Sequence, residues 1–94
     1  MRFSFQVHDD RGDLIGTAKY LQRRNKYQEA IRVLGEALKL NAKPVDMSYG
    51  YELMGNCYLS LNDQPNALKQ YRQAVAVYSA NQNAANMIRQ LNGH

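Results

Sequence analysis

The residue types that most often carry catalysis or bind metals are few in this chain and lie far apart. The two histidines are His8 and His94, and the single cysteine is Cys57. Neither histidine has a cysteine or carboxylate partner at the spacing that places metal ligands on one face of a helix. A glycine-rich phosphate loop and a nucleophile elbow are also missing from the sequence. We therefore expect a non-enzymatic chain with no metal and no cofactor.

Three aspartates near the start of the chain, Asp9, Asp10 and Asp13, could be read as an acid–base group. A turn and a helix cap explain them better, because aspartate favours both positions. The spaced oxygen ligands and closing glutamate of a Ca²⁺ loop are missing. Cys57 has no flanking Lys, Arg or His to lower the pKa of its thiol, so we interpret it as a small packing residue.

Length and composition indicate one small folded domain. The chain has 94 residues, of which 45% are hydrophobic. No apolar run approaches the length of a membrane span, and the N-terminus lacks an apolar signal-peptide core, so we expect a cytoplasmic protein without membrane contact. The net charge of +4 allows binding to acidic peptides and, less favourably, to nucleic acid.

The stretch from residue 51 to residue 74 predicts two antiparallel helices. Small and apolar residues recur three and four positions apart, which places them on one face of a helix. A turn is expected at residues 62–65, which read Asn-Asp-Gln-Pro. Gly55 and Ala67 are small where two helices must approach closely, while the aromatic rings of Tyr51, Tyr58 and Tyr71 fill the space around them.

The first half of the chain repeats this pattern. Five positions precede their counterparts by a constant 37 residues: Ala18, Leu21, Ala30, Leu34 and Ala37 correspond to Gly55, Tyr58, Ala67, Tyr71 and Ala74. A constant offset over five positions indicates an internal repeat.

Both halves resemble the tetratricopeptide repeat (TPR), whose pattern is W-x2-L-G-x2-Y…A-x3-F…P. Tyr51, Met54 and Tyr71 stand for the Trp, Leu and Phe, while Gly55, Tyr58, Ala67 and a further small residue, Ala74, match directly. The terminal Pro is replaced by Ser79. The first repeat is degenerate, with Leu14 in the Trp position, Thr17 in the Leu position, and small residues at Ala18, Ala30 and Ala37.

The resemblance implies an all-α fold of antiparallel helical hairpins stacked as a short right-handed α-solenoid. We expect a degenerate first repeat over residues 13–44, a second repeat over 48–81 and a capping helix over 82–92. Asp13, Asn81, and either Asp46 or Ser48 are the expected helix N-caps, and Gly93 the expected end. The second helix should begin near Tyr27.

The resemblance also implies a function, since the first helix of each TPR lines a concave groove that binds a protein segment. The expected partner-binding residues are Ile15, Lys19, Gln22 and Arg23 on the first repeat, Tyr49, Glu52, Asn56 and Leu59 on the second, and Arg89 on the capping helix. Of the carboxylate clamp in chaperone-binding members, only Asn56 falls on a matching position. We therefore expect a scaffold for a peptide or protein ligand, without that specialisation.

Residues 1–12 leave several alternatives open. Phe3, Phe5 and Val7 alternate with polar residues as in a strand, and a lone strand needs a partner. The segment could be a disordered tail, could pair with a second copy in a homodimer, or could end a preceding domain, which would make this chain the C-terminal accessory part of a larger enzyme.

RNA binding by the basic residues Lys19, Arg23 and Arg24 is a further alternative. It is weaker, because the tyrosines fall mostly at packing positions and leave few rings for base stacking.

Overall fold

A computed structural model describes residues 10–40 and 43–93, with side chains described from Leu14 onward. Over these ranges the chain is all-α, as predicted. The five helices are α1 (Asp10–Arg23), α2 (Tyr27–Leu40), α3 (Pro44–Ser60), α4 (Gln64–Val77) and α5 (Gln82–Asn92). The predicted strand at Phe3, Phe5 and Val7 lies outside the described residues, as do Asp9 and the two histidines.

Two helices begin earlier than the sequence predicted. Helix α1 begins at Asp10, so residues 10–12 belong to it rather than to a leader, and Asp13 lies inside the helix instead of capping it. Helix α3 begins at Pro44, after Lys43 in an extended conformation (φ −88°, ψ 126°). Proline has no N–H to leave unpaired in the first turn, and it disfavours a helical residue before it. Pro44 therefore starts α3 instead of closing the first repeat.

The turn between α1 and α2 has the same hydrogen bonds as the turn between α3 and α4. In each, an asparagine adopts a left-handed conformation, with φ 66° at Asn25 and φ 63° at Asn62. The N–H of the following residue then donates to the carbonyl five residues back, from Lys26 to Leu21 (2.8 Å) and from Asp63 to Tyr58 (2.9 Å). This is the Schellman motif, which stops a helix and satisfies its last carbonyls. The two asparagines are 37 residues apart, so the internal repeat extends to the backbone of the turn.

Consecutive helices pack against each other along the chain, α1 on α2, α2 on α3, α3 on α4 and α4 on α5. Helices α3 and α4 run antiparallel, since Ser48 near the start of α3 bonds to Ala74 near the end of α4, while Asn56 lies opposite Tyr71. Two apolar clusters form the core. The first contains Ala18, Ala30, Leu34, Leu53 and Cys57; the second contains Ala67, Tyr71, Ala74 and Ala84.

The closest approach in the α3–α4 hairpin is between Gly55 and the ring of Tyr71. Ala18, Ala30, Gly55 and Ala67, the four small residues predicted to allow close packing, are all buried. A Cβ atom added at Gly55 would lie 2.6 Å from Cε1 of Tyr71. Tyr71 is fully buried, and its hydroxyl donates to Oδ1 of Asn56, so the ring has little room to move. Glycine at position 55 is therefore required for the two helices to pack this closely.

Replacing Gly55 with alanine should lower the free energy of unfolding by about 1–2 kcal/mol. Overpacking against Tyr71 costs about 1–3 kcal/mol, more than the roughly 1 kcal/mol that alanine gains in helix propensity. Gly35→Ala is the matched control, because nothing lies within 4 Å of the added Cβ in the interior of α2. It should raise stability by about 0.5–1 kcal/mol. Urea unfolding followed by circular dichroism measures both, and equal shifts in the same direction would contradict the packing described.

Candidate functional site

Two of the nine predicted partner-binding residues pack against the core. The side chain of Ile15 packs against the first apolar cluster, and that of Leu59 packs against the second. Both are only half-exposed. Both side chains therefore contribute to helix packing, and their role in partner binding stays a prediction. Helical spacing alone could not predict these packing contacts, because α3 packs against both α2 and α4, and the first cluster combines residues of α1, α2 and α3.

Two other predicted partner-binding residues, Asn56 and Glu52, form hydrogen bonds to residues outside α3. Asn56 accepts from the hydroxyl of Tyr71 on α4. Glu52 accepts from the side-chain amide of Asn81 at 3.1 Å and from that of Asn83 at 3.4 Å. Asn56 thus holds the α3–α4 hairpin together, and Glu52 ties α3 to the start of α5. Both side chains therefore have a structural role, and whether they also bind a partner stays a prediction.

The structure brings Lys19 of α1 and Tyr49 of α3 together. The Nζ atom of Lys19 lies 5.7 Å from the centroid of the Tyr49 ring, within the range of a cation–π interaction. Gln22 is half-buried, whereas Arg23 and Arg89 are exposed, and Arg89 donates to Asn86 within α5. Of the nine predicted residues, Lys19 and Tyr49 are the exposed pair that joins the two predicted repeats.

An open cavity of about 330 Å³ lies between α3 and the connection from α4 to α5. We call it the Tyr49–Tyr78 cavity. Its lining residues are Val45, Asp46, Tyr49, Glu52, Tyr78 and Asn81. Three of the six are large apolar or aromatic residues that remain exposed: Val45 by 49%, Tyr49 by 37% and Tyr78 by 39%. The cavity is thus a partly apolar surface that the described residues leave exposed.

Sequence reasoning found two of these lining residues, Tyr49 and Glu52, and missed the other four. Val45 and Asp46 were missed because α3 was expected to begin after them. With the helix starting at Pro44, Val45, Tyr49 and Glu52 follow the four- and three-residue spacing of one helix face. Tyr78 has no such signal, since it lies just beyond the end of α4 in an extended conformation.

The side chain of Asn81 fixes the wall of the cavity opposite α3. Its Nδ2 donates to Oγ of Ser48 at 2.8 Å and to Glu52 at 3.1 Å. Its Oδ1 accepts from the N–H of Ala84 at 2.9 Å, which makes Asn81 the N-cap of α5, as predicted. Ser48 is buried and in turn donates to the carbonyl of Ala74 at 2.7 Å. The side-chain amide of Asn81 therefore links α3 to the start of α5 and, through Ser48, to the end of α4.

The two carboxylates of the cavity have no cationic partner within the described part of the chain. The ion pair found there joins Lys39 and Glu36 at 3.3 Å, on the surface of α2. Asp46 is exposed and Glu52 half-exposed, and the amides that bond Glu52 are neutral. The cavity thus combines two aromatic rings with unpaired negative charge, on a chain whose net charge is +4.

A second cavity, of about 410 Å³, lies between α2 and the end of α3 and is lined by Gln28, Ile31, Tyr58, Leu61 and Asp63. It is the larger of the two, but most of its wall has a structural role. Ile31 and Tyr58 pack against the two core clusters, and Asp63 caps α4. We therefore interpret it as the crevice left by packing α2 on α3.

The interior of the α2–α3 interface contains the only cysteine. Cys57 is fully buried, and loss of solvation raises the pKa of its thiol from 9.0 to about 11. Burial, followed by the charges of Glu52 and Cys57, raises the pKa of Tyr71 to about 12. Both side chains are therefore protonated and neutral at physiological pH, which agrees with the interpretation of Cys57 as a packing residue.

Within the described residues, no three His, Cys, Asp or Glu side chains come together as metal ligands. None of the helices described there is long and apolar enough to cross a membrane. Comparisons of the chain with protein-family models, with curated proteins and with solved structures found no match. The resemblance to the TPR therefore depends on the sequence pattern.

Replacing Asn81 with alanine should lower the free energy of unfolding by about 1–2 kcal/mol. The variant loses the N-cap of α5 and the amide donor to Ser48 and Glu52. Asn83→Ala is the control, because it removes only the exposed 3.4 Å bond to Glu52 and should change stability by about 0.5 kcal/mol or less. Thermal or urea unfolding compares the two, and equal losses would contradict the central role of Asn81.

Cys57 should resist alkylation while the protein is folded. At pH 8, where a thiol of pKa about 11 is almost wholly protonated, we expect iodoacetamide to modify the native chain far more slowly than the chain unfolded in urea. Mass spectrometry gives both rates directly, because the chain has a single cysteine. Rapid modification of the native protein would show that Cys57 is an accessible, reactive thiol.

Proposed function

We propose that this chain is a non-enzymatic protein-interaction module, built of two TPR-like hairpins and a capping helix in a short right-handed α-solenoid. It binds a segment of a partner protein at the Tyr49–Tyr78 cavity. The observation that carries the proposal is the exposure of two tyrosines and a valine around one open cavity, whose opposite walls are fixed by hydrogen bonds.

The chemistry of the cavity suits a protein ligand. Tyrosine is enriched in the cores of protein interfaces, because its ring buries apolar area while its hydroxyl keeps a hydrogen bond. In this chain Tyr71 is fully buried and Tyr51 and Tyr58 pack against the second core cluster. Tyr49 and Tyr78 remain more exposed, so their rings are available to a partner.

The cavity also has the rigidity that a binding site needs. Tyr49 is in the middle of α3, and Tyr78 is held close to it because Asn81, three residues further on, bonds to Ser48 and Glu52. A surface that is already ordered loses little conformational entropy when a ligand binds. Lys19 lies beside Tyr49 and extends the proposed surface towards α1, where Gln22 and Arg23 were expected to take part.

Selection from a phage-displayed library of random linear peptides tests this function, because the purified chain itself picks out the sequences that it binds. We expect selected peptides to bind the chain in solution, with dissociation constants measured by fluorescence anisotropy. The double variant Tyr49→Ala, Tyr78→Ala should weaken binding at least about 10-fold, since truncating central aromatic residues of an interface typically costs 1–2 kcal/mol or more.

Tyr20→Ala is the matched control, because Tyr20 is also an exposed tyrosine (51%) but does not line the cavity. It should leave the affinity unchanged. Circular dichroism and urea unfolding confirm that each variant is folded. If the library yields no binder, or if binding survives in the double variant, the proposed site is wrong.

A further inference from the structure

We propose that the Tyr49–Tyr78 cavity holds a basic side chain, lysine or arginine, of the partner segment. The inference depends on the proposed function and names the chemistry of its ligand. It opposes the expectation from net charge alone, because a chain of net charge +4 should prefer acidic partners.

The two charged residues that line the cavity are both acidic. Asp46, Tyr49 and Glu52 follow one another at intervals of three residues on α3, so the two carboxylates flank the Tyr49 ring on successive turns. No cationic side chain in the described part of the chain pairs with either of them. A cation entering the cavity therefore meets two negative charges that form no ion pair within the described residues.

Glu52 is held by hydrogen bonds on both of its carboxylate oxygens. The donors are the side-chain amides of Asn81 and Asn83, which are neutral. The charge of Glu52 acts on its surroundings, since after burial it is the largest cause of the raised pKa of Tyr71. Glu52 is thus a fixed anion at the side of the cavity, which reduces the entropy lost when it pairs with a ligand.

The cavity also presents the aromatic rings of Tyr49 and Tyr78. Nζ of Lys19 lies 5.7 Å from the centroid of the Tyr49 ring, within the range of a cation–π interaction. Lysine and arginine also have long apolar stems. Such a stem would pack against Val45 and the rings, while the charged end reaches Asp46 and Glu52. An acidic side chain or a nucleic-acid phosphate would instead be repelled by both carboxylates.

The test uses a peptide selected by binding to the wild-type chain. Synthetic versions carry lysine, arginine, norleucine or glutamate at each basic position in turn. We expect replacement of one basic residue by norleucine to weaken binding about 5-fold or more, and replacement by glutamate to weaken it further, whereas lysine and arginine substitute for each other with a smaller change. Norleucine keeps most of the apolar stem of lysine but lacks its charge. The affinity lost on this replacement therefore measures the contribution of the charge.

The matched protein variants are Asp46→Asn and Glu52→Gln, which keep side-chain size while removing one negative charge each. Each should weaken the lysine peptide about 3- to 5-fold, leave the norleucine peptide almost unchanged, and reduce the dependence of binding on salt concentration. Glu29→Gln removes an exposed carboxylate that does not line the cavity and should change none of these values.

The outcomes separate this inference from the proposed function. One outcome is a peptide whose binding needs Tyr49 and Tyr78 but is unchanged when norleucine replaces its basic residues. It would overturn the proposal that the cavity holds a basic side chain, while the proposed interaction function would still hold. Failure to select any peptide would overturn both. Self-association in sedimentation experiments that Asp46→Asn and Glu52→Gln abolish would also overturn the inference, because the basic group would then come from a second copy of the chain.

Discussion

The contact between Gly55 and the ring of Tyr71 is the constraint on which the second hairpin depends. The absence of a side chain at position 55 lets α4 approach α3 closely enough for the Tyr71 ring to be fully buried. Because the ring is at this depth, its hydroxyl reaches Asn56 on α3. The close approach of Gly55 and Tyr71 therefore gives both tight packing and a hydrogen bond for the buried tyrosine hydroxyl. Dense packing with buried polar groups satisfied is what a stable core requires.

This packing also determines where the candidate site is formed. With α4 held against α3, the carbonyl of Ala74 comes within reach of Ser48, and the connection that follows brings Asn81 to Ser48 and Glu52. The wall that carries Tyr78 is therefore placed by a chain of three hydrogen bonds. Stability and the proposed binding surface are coupled here, because Glu52 takes part in both.

Much of the fold could be predicted from the sequence, whereas little of the candidate site could. The sequence pattern predicted the five helices, the burial of the four small residues, the cap at Asn81 and the turn before Pro65. The cap at Asp63 was not predicted. The site was harder, because exposure is decided by all the helices that surround a side chain. Ile15 lies on α1 with Lys19, and Leu59 lies on α3 with Tyr49. Ile15 and Leu59 nevertheless pack against the core.

The sequence by itself determined the elements that depend on near neighbours in the chain, namely the helices and the turns that join paired helices. Those features follow from interactions over three to five residues, which a pattern can encode. Only the tertiary structure decided that Tyr78 faces the same cavity as Tyr49, and that Asp46 and Glu52 have no ion-pair partner among the described residues. Asp46, Tyr49 and Glu52 share α3, but Tyr78 lies in the connection after α4, so its proximity to them results from how the helices pack.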